Sequence, residues 1–248
     1  MSARIELSHK IQVLTKKEEL DTVRVPGKVI VVLDVLFATT TMVAALAHGA
    51  REVIPVADED AARAQGNAQP AGAYVLSGEL HAQTLPGFVQ PTPLALLGHG
   101  VSGKTLIYST TNGTVAVTQS AAAAHLYCGA LLNARTLAEH IVARHPRDTV
   151  LLLCAGSGNN FNLEDFYAAG YLVEIIAGLL GSGADLSDAA KAARALYHQA
   201  KAPDVLHDCR VGRMMAARGL QHEVEFACRF DAFPVVPAFA RGRLRLVA

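Results

Sequence analysis

The sequence predicts an α/β fold of three layers, with helices on both faces of a mostly parallel sheet. Short aliphatic runs of strand length recur along the chain, each bounded by turn-forming residues. The three clearest of them are each followed by a cluster of small or polar residues and then by a helix-like stretch. None approaches the ~18 apolar residues that a membrane-spanning helix needs, so the runs read as buried strands. Neither a composition break nor a linker divides the chain, and residues 1–248 are read as a single domain.

The elements follow in order. The first unit has a strand over Lys28–Asp34, the cluster Ala38-Thr39-Thr40-Thr41, and a helix from Met42 to His48. A strand at Glu52–Val56, a helix at Glu59–Gln65 and a strand at Tyr74–Ser77 come next. Pro91-Thr-Pro93-Leu-Ala-Leu-Leu reads as a turn and a short helix. The second unit is the strand Thr105–Ser109, the loop Thr110-Thr111-Asn112-Gly113-Thr114 and a helix over Val115–Ala124. A strand at His125–Tyr127 and a helix at Arg135–Ala143 lead to the third unit, the strand Thr149–Ala155, the loop Gly156–Asn160 and a helix over Leu163–Leu180. Asn162-x-x-Asp165 offers that helix an N-terminal cap. Helices at Ser187–Tyr197 and Val211–Arg218 and a strand at Val235–Pro237 complete the reading.

Composition narrows the function. Hydrophobic residues at 51% and charged residues at 18% give ample material for a core and exclude a disordered chain. Lys plus Arg (22) balance Asp plus Glu (22), so no basic field exists to hold nucleic acid. The start MSARIELSHKIQ lacks the apolar core of a secretory signal. A cytoplasmic protein with neither nucleic-acid nor membrane partners is expected. The four cysteines contain no C-x-x-C pair and read as reduced, packed thiols. His140 and His145 are five apart, miss the i, i+4 spacing of H-E-x-x-H, and read as solvated.

Two motifs tempt and fail. Gly98-His-Gly-Val-Ser-Gly103-Lys104-Thr105 fits the phosphate-loop pattern G-x-x-x-x-G-K-S/T. That loop works because a strand feeds it and a helix leaves it; here a helix precedes and a strand follows. Asp34 ends a buried strand, as in aspartyl phosphatases of the D-x-D-x-T type, yet the chain reads Asp34-Val35-Leu36 and lacks the second carboxylate.

In open α/β sheets, ligands sit beyond the carboxyl ends of the strands, where backbone N–H groups of loops and helix starts converge. The clusters Thr39, Thr40, Thr41 and Thr110–Thr114 fall there and would add hydroxyl donors. A small anionic, phosphorylated substrate is therefore expected.

The constellation continues with Gly78-Glu79, Gly87-Phe88-Val-Gln-Pro-Thr-Pro93, Cys154-Ala-Gly156, Glu164-Asp165-Phe-Tyr-Ala-Ala-Gly170, Gly212-Arg213 and Phe233-Pro-Val-Val-Pro237. Together with Asp34-Val-Leu-Phe-Ala-Thr-Thr-Thr41 and Thr110–Thr114, this series resembles the 2-phosphosulfolactate phosphatase family over almost the whole chain. The resemblance implies a scaffold of two similar intertwined halves, Mg²⁺-dependent hydrolysis of a small phosphorylated carboxylic acid, and a homo-oligomer. It implies that Asp34 is a magnesium ligand or a carboxylate nucleophile, with helix capping as the alternative role. Glu79, Glu164 and Asp165 would complete the catalytic group, Glu79 and Asp165 also as metal ligands. Thr39–Thr41, Thr110, Thr111, Asn112, Gly113 and Thr114 would hold phosphate, and Arg213 a second anionic group. Phe37 and Leu80 stand where the family carries arginines, and Gln90-Pro91-Thr92-Pro93 stands where it has G-N-S-P. These departures predict a substrate with less charge or an apolar portion, or a relative that binds anions without turnover.

Overall fold

A computed structural model describes residues 9–247. Its sheet consists of two parallel blocks joined by an antiparallel hairpin. One block holds β2 (Val29–Leu33) at its centre, between β7 (His125–Gly129) and β8 (Val150–Cys154), with β1 (His9–Leu14) and β9 (Ala184–Leu186) outside β8. The other places β6 (Thr105–Ser109) between β3 (Glu52–Val56) and β4 (Tyr74–Leu80), with the short β5 (Gln83–Thr84) antiparallel at the edge. The chain runs from β2 into the second block at β3 and returns at β7, so the two blocks are interleaved in sequence.

The join is the hairpin of β10 (Pro237–Ala240) and β11 (Arg243–Leu246), which pairs with β7 on one side and β3 on the other. Leu244 points into the core, while Arg243 and Arg245 both reach the buried Glu52, the latter at 2.6 Å. The expected strand at Val235–Pro237 thus begins where it was expected to end. RLRL reads as a charged surface in sequence because its arginines have their carboxylate nearly two hundred residues away. β1 and β9 were likewise not anticipated: HKIQVL alternates too weakly to stand out, and ADL is too short.

Helices cover both faces. The helices α1 (Ala38–Ala47), α3 (Pro93–His99) and α4 (Gly113–Gln119) share one core with the facing side chains of both blocks, among them Ile30, Val32, Val53, Leu106 and Leu153. On the outer faces, α2 (Glu59–Asn67) packs on β3 and β6. α5 (Ala134–Arg144), α6 (Leu163–Leu180), α7 (Asp188–Gln199), α8 (Ala202–Asp208) and α9 (Arg210–Ala216) pack against the β2 block. A short α10 (Gln221–Ala227) follows, and its buried Glu223 accepts N–H bonds from Leu94 and Ala95 at the start of α3. α6 is apolar enough to span a bilayer by composition, but most of its residues pack between α5, α7 and the sheet.

Helix-turn-strand is the order around Gly98–Thr105, and the Lys104 ammonium donates back to the Gly100 carbonyl at 3.0 Å. No phosphate loop forms. All four cysteines are free thiols. His145 departs from its expected solvated state. It is buried, and its ring meets the Tyr127 hydroxyl at 2.8 Å.

Candidate active site

A cleft of about 610 Å³ opens at the carboxyl ends of β2, β4, β6 and β8. Asp34 enters it directly after β2. Its Oδ1 accepts the Ala38 N–H at 3.2 Å, capping the first turn of α1, while its side chain also lines the cleft. Asp34 thus caps the helix, the alternative role expected of it, and at the same time faces the cleft. Gly113, at the start of α4, makes the crossing of the two helix starts possible. A Cβ there would lie 2.4 Å from Ala38 Cβ and 2.6 Å from Asp34 Oδ2. Only glycine lets α4 stand this close to the carboxylate.

Asp165 lies behind the cleft and is fully buried. Its Oδ1 accepts the Val35 N–H at 2.8 Å and its Oδ2 the Gly156 N–H at 3.3 Å, which ties the ends of β2 and β8 together. Gly156 has φ +62°, and a Cβ on it would lie 2.6 Å from the Asn160 carbonyl oxygen. Glu164, its neighbour, is also buried, and its Oε1 is one of two buried side-chain oxygens among the described residues without a hydrogen-bond partner. Glu79 reaches the cleft from β4. Its carboxylate accepts the Thr111 N–H at 2.6 Å, the Thr111 hydroxyl at 3.0 Å and the Ala82 N–H at 2.6 Å.

Burial, reinforced by Glu164 and Glu79, raises the Asp34 carboxyl from its ordinary 3.8 to about 7. Burial likewise raises Glu164, and burial with the charges of Glu164 and Asp34 raises Asp165 well above the carboxylate range. Of these three carboxyl groups only Asp34 lines the cleft; Glu164 faces the neighbouring depression and Asp165 is enclosed between the ends of β2 and β8.

The threonines behave differently from expectation. Thr39 exchanges hydrogen bonds with the Asp34 backbone, at 2.9 Å to its N–H and 3.0 Å to its carbonyl. Thr40 donates to the Val35 carbonyl at 2.7 Å, and Thr41 turns toward the Pro91 carbonyl at 3.4 Å. The Thr39 and Thr40 hydroxyls lock the β2–α1 turn, and none of the three threonines lines the cleft. Thr110 and Thr114 bond one another across the α4 start, Thr114 N–H to Thr110 Oγ1 at 3.1 Å and Thr110 N–H to Thr114 Oγ1 at 3.0 Å. Of the second loop, Thr110, Thr111 and Asn112 line the cleft, whereas Gly113 and Thr114 support it.

The cations also differ. Arg213 projects from α9 into a neighbouring depression and pairs with Asp208 at 3.3 Å, outside the cleft. Helical spacing explains this: Val211, Met214 and Met215 turn one face of α9 to the cleft, and position 213 points off it. Three cations that the sequence did not single out line the cleft: Lys17, Arg210 and Arg218. Lys17 is buried, donates to Asn112 Oδ1 at 2.9 Å and pairs with Glu18 at 2.8 Å. In sequence it sits in TKKEEL, which looks like a solvated charge run. Arg210 bonds Ser157 and, at 3.1 Å, Asn162 Oδ1. That contact and the Ser157 hydroxyl occupy the Asn162 side chain, which makes no cap on α6. Phe37 lines the cleft, but Leu80 is 55% exposed and lies outside it.

The sequence profile of the 2-phosphosulpholactate phosphatase family matches residues 14–242. A Clostridium tetani protein named probable 2-phosphosulfolactate phosphatase is 30% identical over 238 residues, covering 95% of this chain and 99% of that one. A protein of the same name from Symbiobacterium thermophilum is 34% identical over 224 residues, 89% of this chain and 95% of its own. One from Deinococcus radiodurans is 32% identical over 217 residues, 86% and 88% of the respective chains. Matched along nearly its whole length by this profile and by these relatives, the chain belongs to the 2-phosphosulpholactate phosphatase family of phosphoric monoester hydrolases.

Proposed function

We propose that the protein hydrolyses the phosphate monoester of a small carboxylic acid in this cleft, with Mg²⁺ as its cation and 2-phosphosulfolactate as the named candidate substrate. The observation that carries the reading is the meeting of a buried carboxyl, Asp34, with a buried ammonium, Lys17, in one cleft rimmed by Arg210 and Arg218. Phosphoryl transfer depends on positioning and on cationic stabilisation of the equatorial oxygens, and these groups supply both.

The donor set fits magnesium, which is ordinarily held by one or two carboxylates with water and substrate oxygens. Asp34 is the carboxylate best placed to hold it: both oxygens of Asp165 already accept backbone N–H bonds, and those of Glu79 hold the Thr111 loop. Bound there, the cation would neutralise charge on the phosphoryl group. Lys17 holds Asn112 toward the same space, and the Arg210 and Arg218 guanidiniums offer paired donors to the carboxylate and any second anion.

Part of the wall is apolar. Phe37 and the α9 side chains Val211, Met214 and Met215 line the cleft, the latter three on the same helix as Arg210. This favours a phosphorylated acid with an apolar portion over one carrying an additional sulfonate there, because a charged group against that wall lacks hydrogen-bond partners.

Phosphate release from a panel of small phosphoesters, with and without Mg²⁺, tests the reading. Expected is Mg²⁺-dependent release that Asp34→Asn abolishes. Binding of the phosphorylated acids without any release would instead identify an anion-binding relative that has lost turnover.

A further inference from the structure

We propose that His125, His145 and Asp148 form a second metal site, for a transition metal of the Zn²⁺ class, at the end of the sheet opposite the cleft. One ligand atom from each of the three lies within 4.8 Å of the others. The His145 Nδ1 and the nearer Asp148 oxygen are 3.4 Å apart. Tetrahedral zinc with bonds of 2.0–2.1 Å sets its ligand atoms about 3.4 Å from one another, so this pair already has the spacing of a bound site. His125 is exposed at the first position of β7, and a rotation of its side chain would close the remaining distance.

The surroundings hold the central ligand in place. His145 is buried, and its other ring nitrogen, Nε2, meets the Tyr127 hydroxyl at 2.8 Å. The same hydroxyl lies 3.2 Å from His140 Nε2. A ligating histidine characteristically has its second nitrogen fixed by such an outer hydrogen bond, which settles the tautomer and the ring orientation. The Nδ1 is then the nitrogen that faces Asp148 and His125.

An ordinary ion pair does not account for the cluster. The His125 and His145 rings are 4.0 Å apart between centroids, and two imidazolium charges at that distance would repel. With its Nε2–H directed at the Tyr127 hydroxyl, a neutral His145 turns the Nδ1 lone pair toward Asp148 and His125, the arrangement that a cation would complete. Two imidazole nitrogens and one carboxylate oxygen suit zinc and its neighbours, whereas magnesium and calcium prefer all-oxygen shells.

The site is separate from the chemistry. His125 is in register with Val29 at the start of β2, and Asp34 follows the last residue of that strand. At about 3.3 Å per residue, roughly 16 Å of strand lies between them. A metal here would fasten the start of β7 to the turn between α5 and β8, and would act on stability.

The test uses the full-length, tag-free chain after chelator treatment. Calorimetric titration with Zn²⁺, and with Co²⁺ for its visible absorption in a nitrogen–oxygen shell, should show one tight equivalent. A thermal melt in Zn²⁺ should shift upward. His125→Ala, at an exposed position, and Asp148→Asn should each weaken binding about tenfold or more and remove the melting shift. Asp34→Asn should leave both readouts unchanged. Absence of a tight equivalent, or binding that survives His125→Ala and Asp148→Asn but disappears with Asp34→Asn, overturns the proposal.

Discussion

Replacing Asp34 by asparagine should inactivate the enzyme while making the metal-free protein more stable at alkaline pH. The carboxyl is buried, accepts only the Ala38 N–H at 3.2 Å, and feels Glu164 and Glu79 more strongly than Lys17. Its ionisation is displaced from 3.8 to about 7. Because the folded-state value is the higher one, the native protein holds an extra proton between roughly pH 4 and pH 7. Stability contributed by the neutral carboxyl is full below that window and is lost as pH rises through about 7. At about 1.4 kcal/mol per pH unit, the loss is about 4 kcal/mol once the group is ionised. Asparagine keeps the acceptor for Ala38 and carries no charge, but brings an amide that can cost up to about 2 kcal/mol if it finds no acceptor. The net gain at pH 8 is therefore about 2–4 kcal/mol, or roughly 4–16 °C in Tm for a chain of this size, and it is about 3 kcal/mol smaller at pH 5, where most of the window has yet to be crossed. Thermal melts in chelator at both pH values, beside phosphate-release assays, measure it. Equal melting shifts at the two pH values, or a loss of stability at pH 8, would refute the claim that this carboxyl carries an uncompensated charge.

Lys17→Met should lower kcat/KM for phosphate release about 10- to 100-fold, the worth of a charged hydrogen bond; an unchanged value would remove Lys17 from substrate contact. Gly113→Ala should destabilise the protein by about 1–3 kcal/mol and abolish turnover, because the new methyl meets Ala38 and the Asp34 carboxylate at once. Denaturant titration and the release assay check the two halves separately. Phe37→Arg should raise kcat/KM for a sulfonated substrate relative to its unsulfonated analogue, while Leu80→Arg, at an exposed position outside the cleft, should leave that ratio alone. A wild type that already prefers the sulfonated compound would show that Arg210 and Arg218 do the work expected of the replaced arginines.

Local signals announced much of this molecule. Val29–Leu33, Thr105–Ser109 and Val150–Cys154 stand out because buried parallel strands are aliphatic throughout, and each polar cluster after them begins a loop at the correct end of the sheet. Asp34 and the loop at Thr110–Asn112 could be found in that way, whereas Glu79 emerged only from the resemblance carried by Gly78-Glu79. The roles of Thr39–Thr41 could not, since whether a hydroxyl faces a ligand or its own backbone depends on a turn whose geometry the sequence does not display. Lys17, Arg210 and Arg218 were illegible for the opposite reason. Each lies in a charged or helical stretch that reads as solvated surface, and only long-range packing turns it inward. Arg213 fits the motif, yet a helix displays successive residues about 100° apart, and the phase of α9 gives the cleft to its neighbours.

The β10–β11 hairpin bears on how the molecule assembles. It spans Pro237–Leu246 and supplies the hydrogen bonds between the two parallel blocks, through Ala238 and Phe239 to β7 and through Leu244 to β3. The cleft draws Asp34 and Gly156 from one block and Glu79 and Thr111 from the other. During synthesis, strands near residues 53 and 126 must wait for partners more than a hundred residues downstream, and such long loop closures are slow. Until the hairpin has emerged from the ribosome, the two edges it will cover stay open to pairing with other chains. The last segment of the sheet to be made is therefore the one that closes the seam between the blocks, which until then are tied across the cleft only by the helical core of α1, α3 and α4.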